Sequence, residues 1–400
     1  MRKQDRSWRS QIVRRSGRVG PGLRALVPAI VLLAVLSFSL VAEIPDAYGD
    51  DPPRGPAPTA NPTTPTAAAD PTASNAAARP TAPHDPPPPA VSPQGSRTRR
   101  ISPLARVYLD QVIRIMRERS LYRERIDWDE FRARVFLAAS SARMISDTYP
   151  AIEVALFLLE DAHSAFVTPG GMPFFAGVKF CRQGGTEPPV LPRNIGYVKV
   201  GSFAGWEGAE EFAEAIQAQI RASDRDDLAG WIVDLRGNTG GNMWPMIAGI
   251  GPILGEGTAG YFTSVTGRET AWGYAGGASW ILDGREVVKV TTPYQLKSEH
   301  PKVAVLTDNF VMSSGETVLV SFLGRPDTRQ FGETTCGLST SRGAFTLFNG
   351  ARLYLSTYHL ADRDRVTYGH SIVPDSPTVD TAVAVQLAVD WLLQADEPSQ

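Results

Sequence analysis

The chain is poor in cysteine and histidine, shows no internal repeat and has no large excess of either charge. Two cysteines, Cys181 and Cys336, are too few for a disulfide-dense scaffold or a cysteine zinc site. Outside the cytoplasm they pair with each other or stay two small buried hydrophobes, and the sequence leaves both readings open. Of the five histidines, His84 sits in a Pro/Ala/Thr tract that cannot hold a site. His163, His300, His359 and His370 are left to compete for the role of a base. The missing repeat excludes solenoids and propellers. The net charge of −2 hides an asymmetry: residues 1–100 hold 13 Lys/Arg against 7 Asp/Glu, leaving 27 against 35 for residues 101–400. An acidic body argues against nucleic-acid binding.

What is present begins with a targeting region. Eight Lys/Arg between Arg2 and Arg24 precede an uncharged stretch from Ala25 to Ala42, whose 18 residues would span about 27 Å as a helix. This is a signal peptide or a single membrane anchor, and the basic flank places everything after it outside the cytoplasm. Residues 1–49 therefore form the flank and the leader or anchor. From residue 50 to 98 the chain is Pro, Ala and Thr with almost no large apolar side chain, the composition of a disordered tether.

In residues 99–168 the spacing of Leu104, Val107, Tyr108, Val112 and Met116, then of Trp128, Phe131 and Val135, then of Ile152 to Leu159, predicts a small helical N-terminal subdomain. It ends at Asp161-Ala-His163-Ser. From residue 190 to 400 the pattern predicts an α/β core: a strand at Ile195–Val200, a helix around Ala209–Ile220, a strand at Trp231–Leu235, then the loop Arg236-Gly-Asn-Thr-Gly240-Gly241-Asn242. Paired glycines allow positive φ and bring backbone N–H groups close to a ligand. The loop lacks the Lys-Ser/Thr of a phosphate-binding loop and the spacing of a dinucleotide fingerprint. Tyr261 to Gln295 reads as irregular strands or a flap, and a C-terminal helix is expected over Thr381–Leu393.

The central stretch runs from Val303 to Ser339. A buried strand at Val303–Leu306 is followed by a break at Thr307-Asp308-Asn309 and a helix from about Glu316, which places Ser313 and Ser314 at a strand-to-helix turn. Unpaired N–H groups at a helix start stabilise developing negative charge, and hydrolases put nucleophiles there. Ser313 with Glu316 three residues on is equally a capping box.

Three segments in this order, LLEDAHSAF, GWIVDLRGNTGG and VAVLTDNFVMSSGETVLV with the later FGETTCGLST, resemble the C-terminal processing, or tail-specific, serine proteases. The resemblance covers roughly residues 104–393 and implies a crotonase-like layered core. Only about thirty residues separate His163 from Ile195, too few for the PDZ domain of the better-known branch. The last lysine is Lys302, ahead of both serines, so the branch's serine–lysine dyad is absent. The pattern is similar to the tricorn-like branch without a PDZ domain. That resemblance implies Ser313 as nucleophile and His163 as base. It also implies an oxyanion hole from the N–H of Ser314 and that of Gly240 or Gly241, with no cofactor or metal. The branch's orienting glutamate has no counterpart, and Asp362 or Asp364 is the substitute considered. The expected activity is peptide-bond hydrolysis outside the cytoplasm on a protein or peptide substrate. The alternatives are a non-catalytic binding protein on the same fold, as in interphotoreceptor retinoid-binding protein, and a serine hydrolase of a non-peptide ester or amide.

Overall fold

The computed structural model describes residues 100–177, 179–282 and 284–394. The apolar stretch 25–42 and the tract at 50–98 lie outside the described residues. Within them no helix is long and apolar enough to cross a membrane.

Three helices open the body: α1 (Pro103–Arg119), α2 (Trp128–Ala138) and α3 (Tyr149–Leu158). Ser102 Oγ accepts the Ala105 N–H at the start of α1, and Asp127 Oδ1 accepts those of Asp129 and Glu130 at the start of α2. Two short strands follow, β1 (Ala165–Val167) and β2 (Pro173–Phe175), and then β3 (Ile195–Lys199), α4 (Ala209–Ser223), β4 (Gly230–Asp234) and α5 (Met243–Leu254). Next come β5 (Gly257–Ser264), β6 (Glu269–Ala275), β7 (Ala278–Ile281), β8 (Arg285–Lys289), β9 (Val303–Thr307), α6 (Ser314–Phe322) and β10 (Thr328–Gly332). The chain closes with β11 (Thr340–Thr346), β12 (Arg352–Ala361), β13 (Thr367–Tyr368), β14 (Ser376–Pro377) and α7 (Thr381–Leu393).

The strands form two sheets, so the molecule is the mixed α/β fold that the patterning predicts. The five-stranded sheet runs β14-β10-β9-β4-β3 and is parallel throughout. Every residue of β4 and β9 is buried, which is why both read as continuous apolar runs. The alternation across the sheet sorts them: Val233 and Val305 face the core with α4, α5 and α6, while Ile232, Ala304 and Leu306 pack on Ala388, Val389 and Leu392 of α7. The nine-stranded sheet is antiparallel, in the order β2-β1-β12-β5-β6-β7-β8, with β11 and β13 also paired to β12. Helices α1 to α3 share a core with Phe166 of β1 and Leu353 and Leu355 of β12.

Of the two readings of the stretch from Tyr261, irregular strands and not a flap is what forms: β5 to β8 are a meander whose register shifts between Thr258 and Gly260 and between Ser279 and Trp280. Trp272, Tyr274, Ile281 and Val288 bury against α5 and α6, and Trp272 Nε1 donates to Ser321 Oγ at 3.0 Å. Glycine and threonine obscured this alternation in the sequence.

Between β2 and β3 a strap crosses the C-terminal ends of the parallel strands. Cys181 and Cys336 are disulfide-bonded, with Cα atoms 5.6 Å apart, which decides between the two readings of the cysteine pair. The Gly184 N–H donates to Asp308 Oδ2 at 3.1 Å, and Arg236 donates to the carbonyls of Gly185 and Glu187 at 3.0 and 3.2 Å. Arg236 is itself buried against Asp234 at 2.6 Å. The Asp-Leu-Arg part of the glycine-loop motif thus holds the strap down.

Candidate active site

Two crossover loops leave the C-terminal ends of adjacent parallel strands, where open α/β sheets usually build their sites. The first, after β4, carries the paired glycines; the second, after β9, carries Ser313. They approach so closely that a Cβ on Gly240 would lie 2.7 Å from Ser314 N and 2.9 Å from Ser313 Cβ. A Cβ on Gly241 would lie 2.0 Å from the carbonyl oxygen of Phe203, and both glycines have positive φ, +87° and +109°. Only glycine fits there.

Ser313 has φ +54° and ψ −122°, a region that non-glycine residues occupy only when the surroundings force it. The surroundings here are a buried carboxylate. Glu316 Oε2 accepts the Ser313 N–H at 3.1 Å and the Leu338 N–H at 2.7 Å. Its Oε1 accepts Thr335 Oγ1–H at 2.5 Å and the Gly337 N–H at 2.8 Å. The capping-box link and the reactive-serine reading therefore coexist in one residue: the backbone of Ser313 is held by Glu316, and its hydroxyl points elsewhere. Burial pushes the Glu316 carboxyl up to about 7, against the pull of those four donors.

The Ser313 hydroxyl faces His163, with Oγ 3.0 Å from Nε2. His163 follows α3 and is fixed on three sides. Its N–H donates to Asp161 Oδ1 at 3.0 Å, its carbonyl accepts Arg342 Nη1–H at 3.5 Å, and its Nδ1 lies 2.8 Å from Thr340 Oγ1. Thr340 is in turn 3.0 Å from Ser356 Oγ. Asp161 also accepts the Ser164 hydroxyl, and Ser164 Oγ accepts the Ser356 N–H at 3.1 Å, which ties the loop to β12. Burial, with the positive charges of Arg342 and Lys179 adding to it, holds the His163 imidazole well below the ordinary histidine range. The ring is neutral at neutral pH.

The other histidines make no such pairing. His359 donates from Nδ1 to the Tyr368 carbonyl, His370 is exposed with Nδ1 beside the Ser371 carbonyl, and His300 lines a separate cavity. The Ser314 hydroxyl is engaged elsewhere, donating to the Gly241 carbonyl at 2.6 Å.

Two expectations need correction. Asp362 does not orient the histidine: its Oδ1 accepts the N–H groups of Asp364 and Val366 at 2.9 Å and its Oδ2 the Tyr368 hydroxyl at 2.8 Å. It shapes its own turn, the Asp364 carboxylate lies beside Gly324, and Nδ1 of His163 meets a threonine hydroxyl. Gly240 is not a free donor either, since its N–H is given to Asn238 Oδ1 at 2.8 Å. Gly241 and Ser314 line one small cavity of about 30 Å³ beside Ser313 and His163, closed by Met243, Trp244 and Phe262. Ser314 opens α6, so its N–H is among those without a partner inside the helix.

Thr340 and Arg342 escaped the sequence reading. A threonine and an arginine at the start of a strand carry no signal of their own, and only the pairing of β11 with β12 brings them to residue 163.

A family model described as Peptidase family S41 matches residues 194–378. A nisin-resistance protein from Lactococcus lactis subsp. lactis is 24% identical over 298 residues, 73% of this chain and 88% of that protein. A lipoprotein structure from Streptococcus agalactiae superposes with a TM-score of 0.57 at 23% identity, covering 73% of this chain and 97% of that one. A structure from Parabacteroides merdae, described as a candidate peptidase, gives 0.50 at 19% identity over 73% and 98%. These likenesses agree with the layered arrangement, and over residues 194–378 the chain is similar to peptidase family S41.

Proposed function

We propose that the chain is a serine peptidase in which Ser313 attacks the scissile carbonyl and His163 accepts its proton. The observation that carries this is the 3.0 Å approach of His163 Nε2 to an Oγ held at a positive-φ turn. A neutral imidazole takes the Ser313 proton on Nε2 as Oγ bonds to the carbonyl carbon. For that, Nδ1 must carry the other proton, which it donates to Thr340 Oγ1; Thr340 then donates onward to Ser356. The N–H groups of Gly241 and Ser314 receive the developing oxyanion, a contribution of about 3–4 kcal/mol per donor in comparable sites. Among the described residues the ring nitrogens meet hydroxyls and no carboxylate, so the imidazolium is a strong acid and returns its proton readily to the leaving amine. Water repeats the sequence on the acyl-enzyme.

Peptides are the substrate class that the family supplies, and nisin joins the first peptides to assay on the strength of the nisin-resistance relative. The disulfide suits an oxidising compartment, in line with the basic flank and apolar stretch at the N terminus. The chain therefore works outside the cytoplasm, secreted or anchored.

The test is labelling of the full chain with a fluorophosphonate. Labelling is expected to disappear in Ser313→Ala and His163→Ala and to persist in Ser314→Ala. A folded wild-type chain that takes no label overturns the proposal and leaves the binding-protein reading.

A further inference from the structure

The outer side of α1 is unusual for a solvent face. Leu104 and Val107, one turn apart, are each exposed over more than half their surface, as are Met144 and Phe348 nearby. Ser102 joins Met144 to this helix by donating its N–H to the Ala142 carbonyl at 2.9 Å and its hydroxyl to the Arg143 carbonyl at 2.7 Å. Phe348 joins it by meeting the Tyr108 ring edge-on at 5.2 Å and donating its N–H to Gln111 Oε1 at 3.4 Å. An apolar strip therefore follows the first two turns of α1.

The surrounding charge leans positive. Residues 100–144 contain ten arginines and no lysine against six Asp/Glu, whereas residues 145–400 hold 18 Lys/Arg against 29 Asp/Glu. On α1 itself Asp110 is paired with Arg132 at 2.7 Å and Glu118 with Arg114 at 3.4 Å, so the nearby carboxylates are already countered. Arg106 lies over the Phe136 ring and Arg143 follows Ala142 beside the helix start. Exposed aliphatic and aromatic side chains among arginines are the composition of a surface that settles into a lipid headgroup layer.

Chain continuity points the same way. The described structure starts at Arg100, three residues before α1, and upstream the sequence reads as a tether leading from an apolar stretch at residues 25–42. A body tethered to a membrane sees its surface at an effective concentration on the order of millimolar, so even weak docking is populated. The first element after the tether is the one carrying the strip.

We propose that this face of α1, with Met144 and Phe348, docks on an anionic membrane surface and fixes how the body lies on it. Both native cysteines are in the disulfide, so an introduced cysteine is the only free thiol. The full chain with Val107→Cys, labelled with an environment-sensitive nitrobenzoxadiazole, is incorporated into phosphatidylglycerol vesicles and, separately, into phosphatidylcholine vesicles. The label is expected to shift to the blue and to be quenched by nitroxide-bearing lipid in the anionic vesicles alone, and less so at high salt. The same label at Val383→Cys, exposed on α7, is expected to stay water-like. Adding Leu104→Glu and Met144→Glu, both at exposed positions, is expected to abolish the shift without altering the thermal unfolding transition. A water-like label at residue 107 in membrane-bound protein, or equal shifts at 107 and 383, overturns the proposal. So does a concentration-dependent shift without vesicles, which assigns the face to a second copy of the chain.

Discussion

Replacing Glu316 by glutamine keeps its shape and removes its ability to ionise. The carboxyl accepts four hydrogen bonds, two on each oxygen. An amide presents N–H groups on one side, so one pair of donors must face another donor. The cheaper orientation points the amide nitrogen at Thr335, whose hydroxyl can turn to accept, and leaves the Gly337 N–H unpaired. A buried unsatisfied donor costs about 1–3 kcal/mol. The pH dependence is more telling. The folded-state carboxyl is raised from 4.5 to about 7, so the folded protein holds this proton more tightly than the unfolded chain does. That contribution is fully present below about 4.5 and is lost as pH rises through 7. A shift of this size corresponds to roughly 3 kcal/mol. His163 acts with the opposite sign: with its pKa lowered, its contribution is present above 6.5 and lost as pH falls. Comparing wild type with Glu316→Gln cancels the histidine. Urea unfolding of both proteins at pH 5 and pH 8 is expected to show the stability advantage of wild type shrinking by about 2.5 kcal/mol at the higher pH. An advantage that stays constant or grows with pH would refute the reasoning. It would mean that the four donors, and not burial, govern the group and keep it ionised throughout.

The other predictions concern the reaction. Thr340→Val removes the acceptor of the Nδ1 proton and is expected to lower kcat roughly five- to a hundredfold, the equivalent of about 1–3 kcal/mol, with KM little changed in steady-state assays. Gly241→Ala forces a Cβ to within 2.0 Å of the Phe203 carbonyl oxygen at φ +109°; fluorophosphonate labelling is expected to slow by at least about a hundredfold as that donor moves. Because His163 is held below 6.5, the acid limb of kcat/KM is expected well below pH 6.5. Arg342→Met, which removes a positive charge beside the ring, is expected to move that limb upward; a limb that stays in place would show that burial alone sets it.

Much of the site was legible because it sits at sequence-local features. Ser313 and Ser314 lie at a junction between an apolar run and a helical one, and the paired glycines are adjacent in the chain, so spacing located both turns, while only the resemblance gave these residues roles. His163 emerged only through the ordered motifs, since one histidine among four carries no mark. The orienting partner was misread because the resemblance pointed to a late carboxylate, and Asp362 and Asp364 stand in that part of the chain. The structure gives Nδ1 a hydroxyl, supplied by a β11–β12 register that no local pattern encodes. The choice between Gly240 and Gly241 likewise hung on one side chain, Asn238, claiming one N–H. For the β5–β8 meander the sequence left strands and a flap open, because its inward residues are spaced by glycines that weaken the alternation.

His163 and Ser313 are 150 positions apart in the chain, and the hydroxyls behind the histidine come from residues 340 and 356. A ribosome therefore finishes the proposed base long before the proposed nucleophile, and both before the strands that align them. Any chain stopped short of β12 carries the reactive side chains without their alignment. On the proposed reading, hydrolytic capacity thus arrives in one step, late in synthesis, when the last of these four residues is joined and β12 can pair.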